Sequence, residues 1–318
     1  MTTVGTRTAM ILGIDAGQTG VRAAVAGRPA VVEAPGVPRL EDPVGPDDVA
    51  AALMRAVDRL NGVRGRIAAV GVGLSGFELA SEADLRRIAE RLRGTVGERA
   101  RVTIAGDGVT SLLGALGRRP GVVVAGGTGV VALGHDGHGD WARADGWGSL
   151  LGDDGSAFAI GAAGLRAALR AFDARAGGSE PLRALAEAAF GAVDAIPLAV
   201  HRQGPAARTV AAFAPAVATA ARAGDPVAEA IWARAGEDLA IAVAAACAPF
   251  PPYAAVDVAC VGNLWKAGDL LTEPFRRALA ERRPGATLVA PAGTSLDGAA
   301  ELARGAADAA PRTLVWRD

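Results

Sequence analysis

The chain has 318 residues, of which 51% are hydrophobic, so it can bury a large core and form two domains of about 150 residues each. Its formal net charge is −1 with dispersed Lys and Arg, which argues against a nucleic-acid partner. Cys247 and Cys260 match neither a zinc nor an iron–sulfur spacing, so we expect reduced thiols. Residues 1–9 lack the features of a signal peptide, and the longest apolar run, LAIAVAAACAPF, is too short to span a bilayer. We therefore expect a soluble, cytoplasmic protein with no membrane partner.

The first third of the chain has the pattern of an α/β domain. Strands are predicted at 10–15, 20–26, 29–34, 67–76 and 101–107, and helices at about 46–60, 81–94 and 109–116. This β-β-β-α-β-α-β order indicates one mixed sheet.

The pattern then begins again. The segment GVVVAGGTGVVALGHDG (121–137) predicts a strand, a glycine-rich turn and a second strand, and DWARADG supplies a third strand. The remaining predicted elements are helices at 155–172, 180–190, 206–223, 226–247, 269–282 and 295–308, and strands at 256–262 and in GATLVAP. We interpret the repeat as an internal duplication of the domain architecture.

Two Gly-Thr turns lie at the same place in the two halves. Gly17, Gln18 and Thr19 follow the first strand of the first half, and Gly127, Thr128 and Gly129 follow the first strand of the second half. Backbone N–H groups and threonine hydroxyls in such turns bind phosphates. Either turn alone could be a plain tight turn, but the equivalent placement of the pair favours nucleotide binding.

Two carboxylates stand at the carboxyl ends of predicted strands, where ligands collect in α/β sheets. Asp15, beside the first turn, suits Mg²⁺, which needs one or two carboxylates together with substrate phosphates. Asp107, between two glycines, could take a proton from an attacking hydroxyl. The alternative is that Asp107 only caps the helix that follows.

The segment ADGWGSLLGDDGSAFAIG (144–161) predicts a glycine-rich loop before a long helix. Trp147 could stack on a ligand, and Asp153 could accept hydrogen bonds from two hydroxyls. Asp154 is expected to cap the helix that begins near Gly155. A loop and cap without any ligand remains the alternative.

Six motifs in this order resemble those of the BadF/BadG/BcrA/BcrD ATPase family, and within it the N-acetylglucosamine kinase-like members of the actin/hexokinase/Hsp70 superfamily. They are IDAGQTG, GLSG, AGDG, AGGTG, GWGSLLGDDGSAFAIG and VGNLWKAG. The resemblance covers nearly the whole chain, including 221–240 and 293–304. It implies two ribonuclease H-like (actin-like ATPase) α/β domains, each with a mixed five-stranded sheet, and a cleft between them. The implied small domain comprises 1–108 plus 296–318, and the large domain 109–295.

The resemblance also implies roles for individual residues. Asp15 is the magnesium carboxylate, acting through water, and Asp107 is the catalytic base. The implied ATP-binding residues are Gly17, Gln18, Thr19, Gly127, Thr128, Gly129, Ala211, Gly262 and Asn263, with Trp265 and Lys266 beside them. The implied sugar-binding residues are Asp107, Gly146, Trp147, Gly148 and Asp153. The expected cofactors are ATP and Mg²⁺, the expected reaction is phosphorylation of the 6-hydroxyl of N-acetylglucosamine or a related amino sugar, and the expected assembly is a homodimer.

The chain departs from the family pattern at one position. The N-acetylglucosamine kinases have a sugar-binding Asn where Leu40 stands, and losing that hydrogen bond costs about 1 kcal/mol. Either Arg39 or Glu41 replaces it, or the acceptor is another sugar, such as glucosamine, N-acetylmuramic acid or a hexose. A further alternative is an ATPase that switches a partner protein. The cysteine positions argue against the iron–sulfur activator branch, and the zinc signature of the ROK kinases is missing.

Overall fold

The computed structural model describes residues 10–38, 40, 44–202 and 206–317. The described residues fall into two compact units. Unit 1 is drawn from Met1–Arg119, Gly137–Trp141 and Ala290–Asp318, and unit 2 from Pro120–Asp136 and Ala142–Val289.

Unit 1 has a mixed sheet with helices packed against it. Its strands are β1 (Met10–Ala16), β2 (Gly20–Val25), β3 (Val31–Pro35), β4 (Ile67–Leu74), β5 (Arg101–Gly106) and β11 (Val315–Arg317). Its helices are α1 (Pro46–Val57), α2 (Glu82–Val96), α3 (Asp107–Leu116) and α11 (Ser295–Ala303), with a short 3-10 helix at Phe77–Leu79. The strand order is β11-β5-β4-β1-β2-β3. The sequence predicts five strands, and the sixth is the three-residue β11, which pairs antiparallel with β5 at the edge.

Unit 2 has a second mixed sheet and most of the helices. The strands of this sheet are β6 (Gly121–Gly126), β7 (Val130–His135), β8 (Trp141–Asp145), β9 (Val256–Val261) and β10 (Ala286–Val289), in the order β10-β9-β6-β7-β8. The helices are α4 (Ala157–Phe172), α5 (Glu180–Phe190), α6 (Ile196–Arg202), α7 (Ala206–Ala211), α8 (Ala214–Arg222), α9 (Pro226–Ala246) and α10 (Asp269–Arg282), with 3-10 helices at Val193–Ala195 and Asn263–Ala267.

The two sheets repeat one topology. In each, the first two strands form an antiparallel hairpin around the Gly-Thr turn (β1 with β2, β6 with β7), and a later strand pairs parallel to the first (β4 with β1, β9 with β6). Apart from the added β11, the strand orders correspond element by element. The predicted duplication and the predicted class of fold, two α/β domains with mixed sheets, are confirmed.

The helices of unit 2 differ from the sequence prediction at α6, which no predicted helix covers, and at residues 206–223. The single helix expected at 206–223 is two helices, α7 and α8, with Phe213 buried at the break. Pro215 lies in the first turn of α8, where its missing N–H costs nothing, whereas inside a continuous helix it would remove a hydrogen bond. The proline therefore starts a new helix.

Two observations bear on the expectations about membranes and cysteines. Among the described residues no single helix is long and apolar enough to cross a bilayer, and one bent pair, Glu180–Phe190 with Val193–Arg202, meets that test by length and composition alone. Cys247 and Cys260 are both free thiols, and burial raises the pKa of Cys260 to about 12.

The alternation of side chains along β1 determines which way Asp15 points. Leu12 and Ile14 lie in the core that also contains residues of α1 and α2. Gly13 and Asp15 therefore lie on the opposite face of the sheet. Helix α11 packs on that face so closely that a Cβ on Gly13 would lie 2.9 Å from the carbonyl oxygen of Leu296.

Glycines allow α3 and α11 to approach the sheet and each other. A Cβ on Gly71 of β4 would overlap the carbonyl oxygen of Ala299, and one on Gly114 of α3 would overlap that of Thr294. Residues from 109 onward are expected in the second domain, whereas α3 belongs to unit 1. This packing fixes Asp107, the first residue of α3, beside the carboxyl ends of the central strands.

We predict that Gly71→Ala destabilises unit 1, because the added methyl group would overlap a backbone oxygen that the α11 helix cannot easily move. The expected loss in the free energy of unfolding is about 1–3 kcal/mol, measured by urea denaturation. Gly94→Ala is the matched control. Gly94 lies in α2 with open space around it, so alanine should raise the free energy of unfolding by about 0.5–1 kcal/mol. A Gly71→Ala protein as stable as the wild type would contradict the close packing of α11 on β4.

Candidate active site

The first Gly-Thr turn closes the β1–β2 hairpin. The N–H of Gly17 donates to the carbonyl of Gly20 at 3.0 Å, and the N–H of Val37 donates to the carbonyl of Gly17 at 3.1 Å. Gln18 and Thr19 are exposed at the tip. A Cβ on Gly36 would overlap the carbonyl oxygen of Gln18, so the chain after β3 passes directly beside the turn. No pattern in the sequence indicated this support.

Asp15 forms an ion pair with Arg22 across the hairpin. The two residues are direct partners in the antiparallel register. Arg22 donates to Oδ2 of Asp15 from Nε at 3.1 Å and from Nη2 at 2.5 Å, and Nη2 also lies 3.4 Å from the hydroxyl of Ser295. Since both donors use Oδ2, Arg22 leaves Oδ1 of Asp15 available for another ligand. Arg22 was not predicted from the sequence, although the spacing across the predicted hairpin could have indicated it.

Asp107 lies at the N-terminal end of α3. The N-cap residue is Gly106, and Asp107 is the first residue of the helix, so the interpretation of Asp107 as a simple N-cap is wrong. Its carboxylate accepts a hydrogen bond from Ser75 and lies near the negative charges of Glu78 and Asp15. The structure therefore brings Asp15 and Asp107, predicted separately, to one end of the same sheet.

The electrostatic environment gives Asp107 an unusual pKa. Burial, followed by the negative charges of Glu78 and Asp15, raises the pKa of Asp107 to about 6, although the hydrogen bonds from Ser75 and from the N–H of Gly108 act in the opposite direction. A base with a pKa near 6 is ionised at neutral pH and still basic enough to accept a proton from a hydroxyl in a transition state. Neither Ser75 nor Glu78 was singled out from the sequence, although Ser75 lies in the quoted GLSG motif.

The second Gly-Thr turn, in unit 2, is held by the start of α4. The N–H of Gly127 donates to the carbonyl of Gly129 at 2.8 Å. The N–H groups of Ala157 and Phe158 donate to the carbonyls of Gly127 and Thr128 at 3.0 and 3.1 Å. The turn is thus fixed through its carbonyl groups, and Thr128 remains exposed.

The residues predicted to bind a ligand in the loop before α4 differ in how far they are buried. Asp153 is 8% exposed, and its Oδ1 accepts the N–H of Val130 at 3.1 Å, so this carboxylate faces the second turn. Trp147 is 68% exposed, with the guanidinium of Arg143 5.0 Å from its ring centroid. Gly146 and Gly148 flank this tryptophan with positive φ angles.

One predicted cap in this loop is wrong. The N-cap of α4 is Ser156, whose hydroxyl accepts the N–H of Ala159 at 3.2 Å, and not Asp154. Ser156 sits immediately before the first helical residue with an extended backbone, which is the geometry in which a short hydroxyl side chain reaches the third N–H of a helix.

The VGNLWKAG segment lies beside the second turn. Gly262 has φ 99°, and a Cβ there would overlap the carbonyl oxygen of Gly126, so Gly262 touches the residue just before the turn. Asn263 opens the 3-10 helix and is exposed, as is Lys266, whereas Trp265 packs edge-on against Phe275.

Two further positions singled out from the sequence are packed against other residues. Ala211 ends α7 and is buried close to Gly161 of α4. Leu40 is partly buried and packs against the core of unit 1. Arg39 and Glu41, the suggested replacements for the missing Asn, lie outside the described residues.

The donor set suits a magnesium ion only with help from a ligand. Within the described residues, no cluster of three or more His, Cys, Asp or Glu side chains could hold a metal. Asp15 offers one carboxylate oxygen beside a turn with exposed Gln18 and Thr19. Magnesium in phosphate-transfer sites binds through one or two carboxylates, waters and the phosphates themselves, so Asp15 fits that role.

The fold is one that sugar kinases share. The structure of a candidate N-acetylglucosamine kinase from Chromobacterium violaceum matches with a TM-score of 0.71 and 29% identity, over 92% of this chain and 98% of that protein. A ROK family glucokinase from Streptomyces griseus, solved with glucose and AMPPNP, matches with a TM-score of 0.58 and 20% identity, over 93% of this chain and 100% of that protein. The second match supports the fold alone.

The model of the BadF/BadG/BcrA/BcrD ATPase family matches residues 5–303, and the chain belongs to this family. An N-acetylmuramic acid/N-acetylglucosamine kinase of Clostridium acetobutylicum is 29% identical over 123 residues, 39% of this chain and 39% of that protein. An N-acetyl-D-glucosamine kinase of Dictyostelium discoideum is 35% identical over 108 residues, 34% of this chain and 33% of that protein. The alignments thus span between a third and two fifths of these two relatives.

We predict that Asp107→Asn stabilises the fold at neutral and alkaline pH. The pKa of about 6 lies above the ordinary value of 3.8, so protonated Asp107 favours folding fully below about pH 4, and this contribution is lost as the pH rises through 6. At pH 8 the neutral amide should raise the free energy of unfolding by at most about 3 kcal/mol, reduced by the partial solvent exposure of the side chain. Urea denaturation at pH 4 and pH 8 measures the difference.

Asp47→Asn is the control with the opposite sign. The hydrogen bond from Arg87 lowers the pKa of the exposed Asp47, so its amide variant should lose a little stability at neutral pH and none at low pH. Equal stability of Asp107→Asn and the wild type at pH 8 would contradict the unfavourable environment described for Asp107.

Proposed function

We propose that this protein is an ATP-dependent sugar kinase that phosphorylates the 6-hydroxyl of N-acetylglucosamine or a related amino sugar. The observation that carries the proposal is Asp107, a carboxylate with a pKa of about 6 at the end of the sheet that also presents Asp15 and a Gly-Thr turn. Membership of an ATPase family and the similarity over nearly the whole chain to a candidate N-acetylglucosamine kinase support it.

In the proposed reaction Asp107 acts as the general base. Its carboxylate accepts the proton of the attacking sugar hydroxyl as that oxygen bonds to the γ-phosphorus, and the bond to the bridging oxygen breaks to release ADP. The hydroxyl of Ser75 fixes the carboxylate by a hydrogen bond. Glu78 and Asp15 keep its proton affinity high through their negative charge, which favours proton transfer.

The two Gly-Thr turns are proposed to bind the phosphates of ATP. The N–H groups and hydroxyls at Gln18 and Thr19 in unit 1, and at Thr128 and Gly129 in unit 2, supply donors that match phosphate oxygens. A bound magnesium ion, linked through water to Asp15, would neutralise charge on the β- and γ-phosphates. Arg22 would restrain the Asp15 carboxylate through Oδ2.

The nucleoside and the sugar are assigned to other parts of unit 2. Gly262 and Asn263 lie beside the end of β6, and together with Ala211 we propose that they bind adenosine. Gly146, Trp147, Gly148 and Asp153 form the proposed sugar loop. By family resemblance alone, we also propose a cytoplasmic homodimer, which size-exclusion chromatography with light scattering would test for assembly.

The acceptor is tested by measuring ADP formation with N-acetylglucosamine, glucosamine, N-acetylmuramic acid and glucose. We expect turnover with at least one amino sugar to exceed the rate without acceptor by more than about 100-fold. A preference for a sugar other than N-acetylglucosamine would retain the kinase proposal. It would agree with the presence of Leu40 where the N-acetylglucosamine kinases have a sugar-binding Asn. A rate that no sugar alters would overturn the kinase proposal in favour of an ATPase switch.

Asp107→Asn is expected to abolish sugar phosphorylation, because the amide cannot accept the proton at neutral pH. General-base catalysis contributes about 10²–10⁴-fold, so kcat should fall by at least about 100-fold. Nucleotide binding, measured by calorimetry with a non-hydrolysable ATP analogue, should remain largely intact.

The wild-type enzyme supplies a further readout of the same base. Its kcat/KM for the sugar should fall below about pH 6 as Asp107 becomes protonated. Near-normal turnover by Asp107→Asn would contradict the assignment of Asp107 as the base. So would a kcat/KM of this variant that still falls below about pH 6.

A further inference from the structure

The proposed sugar loop of unit 2 begins and ends with an aspartate in a left-handed backbone conformation. Asp145 has φ 62° and Asp153 has φ 59°. Positive φ is uncommon outside glycine, and such residues persist where surrounding interactions hold them. Both carboxylates make such interactions, which indicates that the loop has one defined conformation.

The carboxylate of Asp145 accepts three backbone N–H groups of its own loop. Its Oδ1 accepts from Gly146 at 2.7 Å and from Asp153 at 2.6 Å, and its Oδ2 accepts from Asp154 at 2.9 Å. The loop therefore returns to the residue at which it started. Gly152 passes so close that any side chain there would overlap the same carboxylate.

Arg143, two residues earlier on β8, braces the other side of the loop. Its Nε donates to the carbonyl of Asp145 at 3.2 Å and its Nη2 to the carbonyl of Gly146 at 2.6 Å. Its guanidinium also lies over the ring of Trp147, 5.0 Å from the centroid. Arg143 thus fixes the backbone before Trp147 and one face of its ring.

Asp153 continues the network into the second Gly-Thr turn. Its N–H is held by Asp145, while its own Oδ1 accepts the N–H of Val130, the residue after the turn. A Cβ on Gly129 would lie 2.6 Å from Oδ2 of Asp153, so the carboxylate fills the space beside the turn. Breaking the hydrogen bond between Asp145 and Asp153 would therefore allow the Asp153 carboxylate, which contacts the second Gly-Thr turn, to move.

We propose that Asp145 is a positioning residue that holds the sugar loop closed on itself and, through Asp153, couples that loop to the second Gly-Thr turn. Because this network holds the loop and the turn together, a ligand that orders the loop also orders the turn, so acceptor binding and nucleotide binding reinforce each other. The identity of the two ligands rests on the proposed function, whereas the coupling of loop and turn rests on the hydrogen bonds alone.

Asp145→Gly tests the proposal without ligands. Glycine accepts φ 62° without strain and removes only the carboxylate. Hydrogen exchange followed by mass spectrometry should show faster exchange in the loop, at 146–154, and also at the turn, 127–131. The control is Ala174→Gly, which places a glycine at another left-handed position of unit 2, φ 54°, and should leave both segments unchanged. Faster exchange confined to the loop would overturn the coupling, and unchanged exchange in both segments would overturn the positioning role.

The kinetic arm uses Asp145→Gly and Asp145→Asn with the sugar that the acceptor panel identifies. Asp145→Gly should lower kcat/KM for the sugar by about 10–100-fold, and addition of the sugar should no longer tighten binding of a non-hydrolysable ATP analogue. Asp145→Asn keeps an oxygen for Gly146 and Asp153 and loses only the acceptor for Asp154, so it should recover most of both properties. Equal defects in the two variants would contradict the hydrogen-bonding role.

The two proposals fail separately. A wild-type protein that phosphorylates no sugar would overturn the proposed function, and the exchange experiment would still decide whether Asp145 couples loop and turn. An active kinase whose exchange at the turn is the same with and without the Asp145 carboxylate would overturn only the coupling.

Discussion

The arrangement of the carboxylates in unit 1 depends on the contact between backbone atoms of α11 and the glycine-lined face of β1 and β4. Where most sheets present side chains to a packed helix, this face presents Gly13 and Gly71, and the α11 backbone occupies the space a Cβ would take. The same close packing brings α3 against α11 and fixes the start of α3, where Asp107 stands. Side chains in this layer would push the helices outward and move Asp107 away from Ser75. The glycines of this layer, which carry no charge, therefore determine where the Asp107 carboxylate lies.

The two neighbouring carboxylates of unit 1, Asp15 and Asp107, are stabilised in different ways. Asp15 and Asp107 lie at one end of the sheet, where two anions repel each other. Asp15 is compensated by Arg22, whereas Asp107 has only hydrogen bonds and keeps a pKa near 6. A carboxylate that is costly to ionise is also a better proton acceptor, so the instability of the fold at this point and the proposed chemistry have one cause.

Much of this architecture follows from the sequence because it depends on short-range patterns. Alternating apolar residues and two equivalent glycine turns predict the repeated hairpins, and Asp15 and Asp107 are each predicted at the carboxyl end of a strand. What the sequence does not predict are contacts between distant segments. Three contacts depend on tertiary packing that no local pattern encodes. They are the close approach of Gly36 to Gln18, the pairing of β11 with β5, and the hydrogen bond from the N–H of Val130 to Asp153. The interruption between α7 and α8 had a local signal in Pro215, but the apolar periodicity on both sides concealed it.

The register of the first hairpin has a consequence for how this turn can vary. Asp15 and Arg22 face each other only because the number of residues between them suits the antiparallel pairing, and neighbouring positions along a strand point to opposite faces. A single inserted or deleted residue between Gly17 and Thr19 would shift the pairing, and Arg22 would exchange its place with an apolar neighbour from the core side. Substitutions in the turn can change its exposed side chains without this penalty. Its length, by contrast, is held constant by the need to keep one partly buried negative charge neutralised, so descendants of this chain should diverge here in residue identity and not in residue number.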